Sequence, residues 1–290
     1  MEKRSSQVII TIKRIFSSAK FTFGFALIMF FSVIAISAPL LTKYDPFKVF
    51  SVPRELPPSW EHPLGTDSLG RDLFTQLVYG IRASLIIGLL SGGIGTVLGF
   101  VIGLISGYKS GYLGASITRF IDVFICIPSL PILVLVSAML PKTSVTVLCS
   151  VIAVFSWPWT ARAIRAQVLS LKERDFINLA KCSGMGDLEI VFKEVLPNIL
   201  PYVASTFAIT TINAMLSEAA LSFIGIGPYE VVTLGKIIAW SQGWSAIMRG
   251  MVWWWLPPSL SLILIFIGFQ SINMGLDEIF NPRLKRITGE

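Results

Sequence analysis

ASLIIGLLSGGIGTVLGFVIGLISGY, residues 83–108, runs for 26 residues without one Asp, Glu, Lys or Arg. A membrane helix needs about 20 predominantly apolar residues to cross the hydrocarbon core. This stretch is long enough, and it has company. Charge-free windows also cover 21–42, 123–141, 143–161, 195–217 and 250–276. The runs are continuous, whereas barrel strands alternate over roughly ten residues. Helices satisfy their own backbone hydrogen bonds in lipid. The reading is therefore an all-α membrane protein with six transmembrane helices.

Composition points the same way. Of 290 residues, 53% are hydrophobic and 14% charged, where a soluble domain carries roughly 25% charged residues. A soluble globular enzyme, a disordered chain and a secreted disulfide scaffold are all excluded. Cys126, Cys149 and Cys182 are odd in number and lack CxxC spacing, so they read as reduced packing residues. The first window is longer than a signal-peptide core, and Pro39 after Ser37-Ala38 makes a poor cleavage site. It reads as an uncleaved anchor. Basic residues orient the bundle. Six spans put both termini on one side. If that side is the cytoplasm, segments 1–20, 109–122, 162–194 and 277–290 hold 16 Lys and Arg against 8 in the opposite segments. The net charge of +7 is thus a topology signal. A nucleic-acid role would need a clustered basic face with aromatics, which is absent.

Within the quoted stretch, Gly95, Gly99, Gly103 and Gly107 recur every four residues. Such a ridge lets a second helix approach closely, inside one subunit or at a moving subunit interface. Pro128 and Pro131 should kink the third span. Trp157-Pro158-Trp159 should end the fourth as an interfacial aromatic pair. Segment 43–82 should be irregular at first and helical from Asp67 to Arg82, with Asp67 as cap. Segment 218–249, with Trp240 and Trp244, reads as an interfacial or re-entrant cap on the bundle.

The longest inner loop, 162–194, carries six basic and five acidic residues. It reads as a helical hairpin. Phe176, Leu179, Ala180 and Ser183 fall on one helix face, and Gly184 stops that helix. A surface helix lying on lipid is the alternative, but mixed charge suits a protein partner better. The chemistry of the rest is sparse. A lone histidine, His62, cannot build a metal site. There is no GxxxxGK[ST] sequence, so the chain lacks a P-loop. The charge-free windows also lack the ionisable groups of ion-coupled carriers. Glu218, at a span edge, reads as a capping or pairing residue. What remains is a polytopic scaffold with no energy source of its own.

Four stretches carry a family likeness. DFINLAKCSGMGDLEIVFKEVLPNILP (175–201) resembles the EAA loop of ATP-binding-cassette importer permeases, with Ala180, Gly184 and Leu196-Pro197 at matching spacing. Asn178, Leu179 and Glu194 depart from that pattern. HPLGTDSLGRDLFTQLVYGIRASL (62–85), SEAALSFIGIG (217–227) and WLPPSLSLILIFIGFQSINMGLDEIFNPRL (255–284) resemble the C-type permease subunit of the dipeptide, oligopeptide and nickel importer group. The resemblance implies a type I importer permease fold. It implies a cytoplasmic arm (1–20), a first helix with an extracytoplasmic segment (21–81), a five-helix permease domain (82–276) and a cytoplasmic tail (277–290). It implies a non-catalytic subunit in a bacterial or archaeal cytoplasmic membrane. Its partners would be a B-type permease homologue, two ATPase subunits or domains that use ATP and Mg, an extracytoplasmic solute-binding protein and membrane lipid. Asp175, Phe176, Ala180 and Gly184 would form the ATPase-coupling helix. Pro197 would start the fifth span without losing a needed N–H. Peptides are the group's commonest cargo. Nickel or another small solute, a self-sufficient secondary carrier and a non-transporting anchor are the alternatives. No substrate-binding residue is indicated.

Overall fold

The computed structural model describes residues 16–109, 111–139 and 144–280. Most of the expected N-terminal arm and C-terminal tail therefore lies outside the described residues, as does Lys142. The helices are α1 (Ala19–Ile36), α2 (Leu73–Tyr108), α3 (Tyr112–Cys126), α4 (Ser129–Ala138), α5 (Val145–Lys172), α6 (Asp175–Cys182), α7 (Asp187–Phe223), α8 (Leu234–Gly243) and α9 (Val252–Phe280). Five of them are long and apolar enough to cross a membrane, and α3 with α4 makes a sixth if that bent pair is one span.

Local chemistry sets the helix starts. Ser18, Asp72, Ser144 and Thr233 each accept a hydrogen bond from a backbone N–H three residues on, at the heads of α1, α2, α5 and α8. These caps satisfy donors that have no partner within the helix.

The glycines of α2 set the packing. A Cβ on Gly99 would lie 2.6 Å from Thr160 Cβ, and one on Gly103 would lie 2.6 Å from the Ala161 carbonyl. Gly95 and Gly107 meet Ser156 and Val168 in the same way. All four face α5, and α2–α5 is the most extensive helix pair. Gly88 and Gly92 turn toward α7, against Met215 and Thr211. In this chain the ridge is filled by the chain's own helices. At the periphery α1 packs on α9, where Gly24 sits against the backbone of Gly268. A core around fully buried Trp254 joins α1, α2, α7, α8 and α9. Large apolar side chains such as Val33, Leu90, Val97 and Ile263 point outward, as on a membrane-facing rim.

Several expectations need correction. The helix expected over 67–82 starts at Leu73, and its cap is Asp72. Asp67 instead organises the turn before it. Its Oδ1 accepts from the Leu69 and Arg71 N–H groups (2.9 Å each), and its Oδ2 accepts from Arg71 Nε (2.6 Å) and Gln76 Nε2 (2.9 Å). Arg71 stacks on Trp240, 4.0 Å from the ring centre. Asp67, Arg71, Asp72, His62 and Gln76 are all buried. Buried charges hold only when paired and hydrogen-bonded; the Asp67–Arg71 pair meets that condition through Arg71 Nε, while Arg71 Nη2 and Gln76 Oε1 are left without a partner. Helix α2 runs unbroken from Leu73 to Tyr108.

The third span is not one kinked helix. Helices α3 and α4 meet at a 75° bend. Pro128 and Pro131 each lack an N–H, and the residue before a proline is pushed out of the helical region. Two prolines three residues apart break the helix where one would bend it. The fourth span does not stop at Trp157-Pro158-Trp159. Helix α5 runs through Pro158 to Lys172, and Trp157 is buried beside Phe120 and Phe124 of α3. Pro197 does stand in the first turn of the α-helical stretch Leu196–Phe223, but the helix continues behind it. Helix α7 begins ten residues earlier, at Asp187, and a π-helical turn at Val191–Val195 absorbs the proline. The wider turn accommodates a ring that would clash with a carbonyl one turn back. Loop 162–194 is accordingly the end of α5, then α6, then the first turns of α7.

Candidate functional site

The end of the bundle carrying α6 is built from α2, α5 and α7. Helix α6 is eight residues long, with Asp175 in its first turn and Lys181 in its last. Both charges complement the helix dipole. Ile177 and Ala180 are buried against Ile164, Val168, Ile190, Val195 and Ile199. Phe176 and Leu179 are 37% and 67% exposed. The proposed apolar face therefore splits. Ala180 belongs to the inner side with Ile177, which sequence reasoning missed, while Phe176, Leu179, Ser183 and Asp175 look outward. A hydrophobic residue between Phe176 and Asn178 was there to be read at position 177. The i, i+3 pair Ile177–Ala180 is the inward stripe.

The turn after α6 is a Schellman motif. Met185 N–H donates to the Ala180 carbonyl (3.2 Å), and Gly184 N–H donates to the Lys181 carbonyl (3.0 Å). Gly184 takes φ +79°, which only glycine adopts without strain, and a Cβ there would meet nothing within 4 Å. The glycine is required by backbone conformation, with open space around it.

Polar contacts tie this loop to the bundle. Asp187, at the head of α7, accepts from Tyr108 Oη (3.2 Å) and Lys109 Nζ (3.1 Å) at the end of α2. Lys172, at the end of α5, donates to the Tyr108 carbonyl (2.6 Å). Three helix ends thus converge on the two flanks of α6.

Between α4, α5 and α7 a cavity of about 500 Å³ opens. Its polar lining includes Ser129, Ser156, Thr160, Thr206, Thr210, Asn213 and Ser217, with Trp159 and Tyr202 as aromatic walls. The Thr160 and Thr210 hydroxyls lie 3.1 Å apart. No charged side chain lines it. Such a surface hydrogen-bonds a polar solute without holding a charge. Sequence reasoning missed this groove, though a signal existed. Thr206, Thr210, Asn213 and Ser217 recur at spacings of four, three and four within an apolar span, which is one polar helix face.

At the far end, Glu218 is buried, and its Oε1 accepts from Ser222 Oγ (2.6 Å) and Thr233 Oγ1 (2.7 Å). It joins the tail of α7 to the head of α8. His62, the lone histidine, is committed to Asp72 (Nδ1 to Oδ1, 2.9 Å). Helix α8 and segment 43–72 cap this end. Arg249 reaches across to Glu55 and to Ser68 Oγ (3.2 Å). The Arg249 hydrogen bond, helped by Ser68, holds the Glu55 carboxyl below the ordinary range.

Residues 99–286 match the family model described as "binding-protein-dependent transport system inner membrane component". The chain belongs to that family. Among relatives of this permease, a Brucella suis biovar 1 protein provisionally named a peptide transport system permease is 31% identical over 286 residues, covering 97% of this chain and 93% of the relative. The dipeptide transport system permease protein DppC of Alkalihalophilus pseudofirmus is 34% identical over 263 residues, covering 90% and 85%. In fold, the permease is similar to a chain of the MetNI methionine ABC transporter solved in inward-facing conformations. The TM-score is 0.57 at 20% identity, over 71% of this chain and 97% of that one. It is thus an all-α membrane protein with the permease fold of a type I importer.

Proposed function

We propose that this chain is the C-type permease subunit of a peptide importer driven by separate ATPases. One observation carries the reading. A bundle of largely apolar helices has one short helix, α6, seated beside the ends of α2, α5 and α7, with Phe176 and Leu179 turned outward. Asp175, Phe176, Ala180 and Gly184 are the coupling residues. The outward side of α6 enters a groove on the ATPase, and Ala180 and Gly184 keep the helix seated and sharply ended. An amphipathic helix in a groove transmits rigid-body motion between two bodies. The termini and α6 face the cytoplasm, in keeping with the excess of Lys and Arg on that side. The groove between α4, α5 and α7 lines the pathway shared with a B-type homologue. Its neutral hydroxyl lining suits a cargo whose side-chain charge varies, and the peptide and dipeptide permease names of the relatives favour peptides. An extracytoplasmic binding protein supplies the selection that this lining lacks.

The test is reconstitution in vesicles with both permeases, the ATPases and the binding protein. Labelled dipeptide should accumulate only with ATP. The Gly184→Val variant should insert normally and lose uptake, because its φ forces the turn after α6 to change. Accumulation by this chain alone under an ion gradient would overturn the reading, as would full uptake by Gly184→Val.

A further inference from the structure

A second cavity, of about 390 Å³, lies between the turn at 46–47, the head of α2 and the α7–α8 connection. Pro46, Phe47, Tyr79, Ile86 and Val232 line it with apolar surface. Two charged side chains of opposite sign also line it, Arg82 and Glu230, both exposed. Arg82 has no hydrogen bond or ion pair among the described residues. Glu230 accepts weakly from Val145 N–H (3.5 Å) and from the neighbouring Tyr229 hydroxyl. The wall at Phe47 is fixed from behind. Lys236 Nζ lies 5.4 Å from that ring and donates to the Pro228 carbonyl (2.7 Å).

The cavity opens onto an apolar track. Arg82 is the last charged residue before the charge-free stretch 83–108. Ile86, Leu90, Ile94 and Val97 follow it on one face of α2, each more than 40% exposed. From Ile86 to Val97 a helix rises about 16 Å, which is about half of the hydrocarbon core. The track is therefore one leaflet long, with a guanidinium at its polar end. A cation at that depth, a carboxylate across a small cavity and an apolar strip of acyl-chain length together match a single amphiphile.

We propose that this cavity holds the headgroup of a phospholipid bearing a primary ammonium, such as phosphatidylethanolamine. The phosphate lies on Arg82 as a charge-assisted pair. The ammonium lies on Glu230, and one acyl chain follows Ile86 to Val97. The lipid fastens the 46–47 turn and the α7–α8 connection to the head of α2.

Native mass spectrometry of the full-length chain, delipidated in detergent and titrated with phosphatidylethanolamine or phosphatidylglycerol, tests this without any transport readout. A failure here therefore leaves the importer reading untouched. The wild-type chain should bind one phosphatidylethanolamine in preference to phosphatidylglycerol. Arg82→Ala should weaken both by about tenfold or more, the loss of roughly one charged hydrogen bond. Glu230→Gln should remove the preference and leave phosphatidylglycerol unchanged. Ile86→Trp fills the cavity and keeps Arg82, so it should also displace the lipid; it decides the matter if Arg82→Ala does not fold. Wild-type binding by the folded variants overturns the proposal, as does an unchanged lipid preference in Glu230→Gln. Loss of the bound lipid when a homologous permease joins the complex also overturns it, because a protein then covers this face.

Discussion

Single residues carry two kinds of constraint here, and each has its own signature. Gly99 is a space constraint, because Thr160 Cβ would sit 2.6 Å from an added Cβ. Gly99→Leu must push α5 away from α2, and overpacking of this kind costs about 1–3 kcal/mol. Thermal denaturation in detergent should show a lower midpoint for Gly99→Leu. Gly93, whose nearest neighbour would be 3.8 Å away, should tolerate alanine with no such loss. An equal effect at both positions would refute close packing as the cause. Gly184 is a conformational constraint with empty surroundings. The first kind is legible in sequence as a four-residue period. The second was legible as a lone glycine after an amphipathic run, but the φ that demands it was not.

Glu55 gives a charge-dependent prediction at the same scale. Its folded pKa lies below its unfolded value, chiefly through the Arg249 hydrogen bond. The cap therefore gains stability from Glu55 above the unfolded carboxyl pKa, and loses it as pH falls through the lowered folded value. Proteolysis of segment 43–72 should be slower at about pH 6 than at about pH 3, and Glu55→Gln should flatten that difference. A variant that keeps the wild-type pH profile would remove Glu55 as its source.

At the scale of elements, α6 separates stability from coupling. Ile177 is fully buried and Phe176 is not. Ile177→Ala should lower the melting temperature, since truncating a buried isoleucine costs about 2–5 kcal/mol. Phe176→Ala should leave melting unchanged and reduce ATP-driven uptake. If both variants only melt early, α6 is a packing element and no coupling helix. The same scale explains where sequence reasoning failed. Charge-free windows located the five long apolar helices, because lipid tolerates little else. They could not locate helix ends outside the lipid, because a charged helix continues there at no cost. Helices α5 and α7 therefore extend well past their windows, to Lys172 and back to Asp187. Prolines misled in both directions. Pro158 and Pro197 are absorbed by surrounding helix and a π turn, while Pro128 and Pro131 together break the chain. Nothing in a proline's own identity distinguishes these cases; the neighbouring helices do.

For the molecule as a whole, sequence showed a bundle of membrane-spanning helices with one long charged loop, but not what closes the far end. The knot of Asp67, Arg71, His62 and Asp72 sits under Trp240 of α8, so it needs Arg71 and Trp240, about 170 positions apart in the chain, to meet. Single-sequence patterning sees only neighbours. The groove between α4, α5 and α7 was likewise hidden, because its three walls come from separate spans and only the α7 wall leaves a periodic trace.

The pairing of α1 with α9 reaches beyond the finished molecule. Helix α1 finds its principal partner in α9, more than two hundred residues later in the chain. During synthesis it must wait in the bilayer for that partner while more than two hundred further residues emerge, with a smaller contact to α2 and otherwise lipid or insertion machinery. A segment under that demand has to be content in hydrocarbon on every side, and α1 carries no charged residue from Phe21 to its end. Chains interrupted before α9 would leave it unclaimed, a ready mark for quality-control proteases.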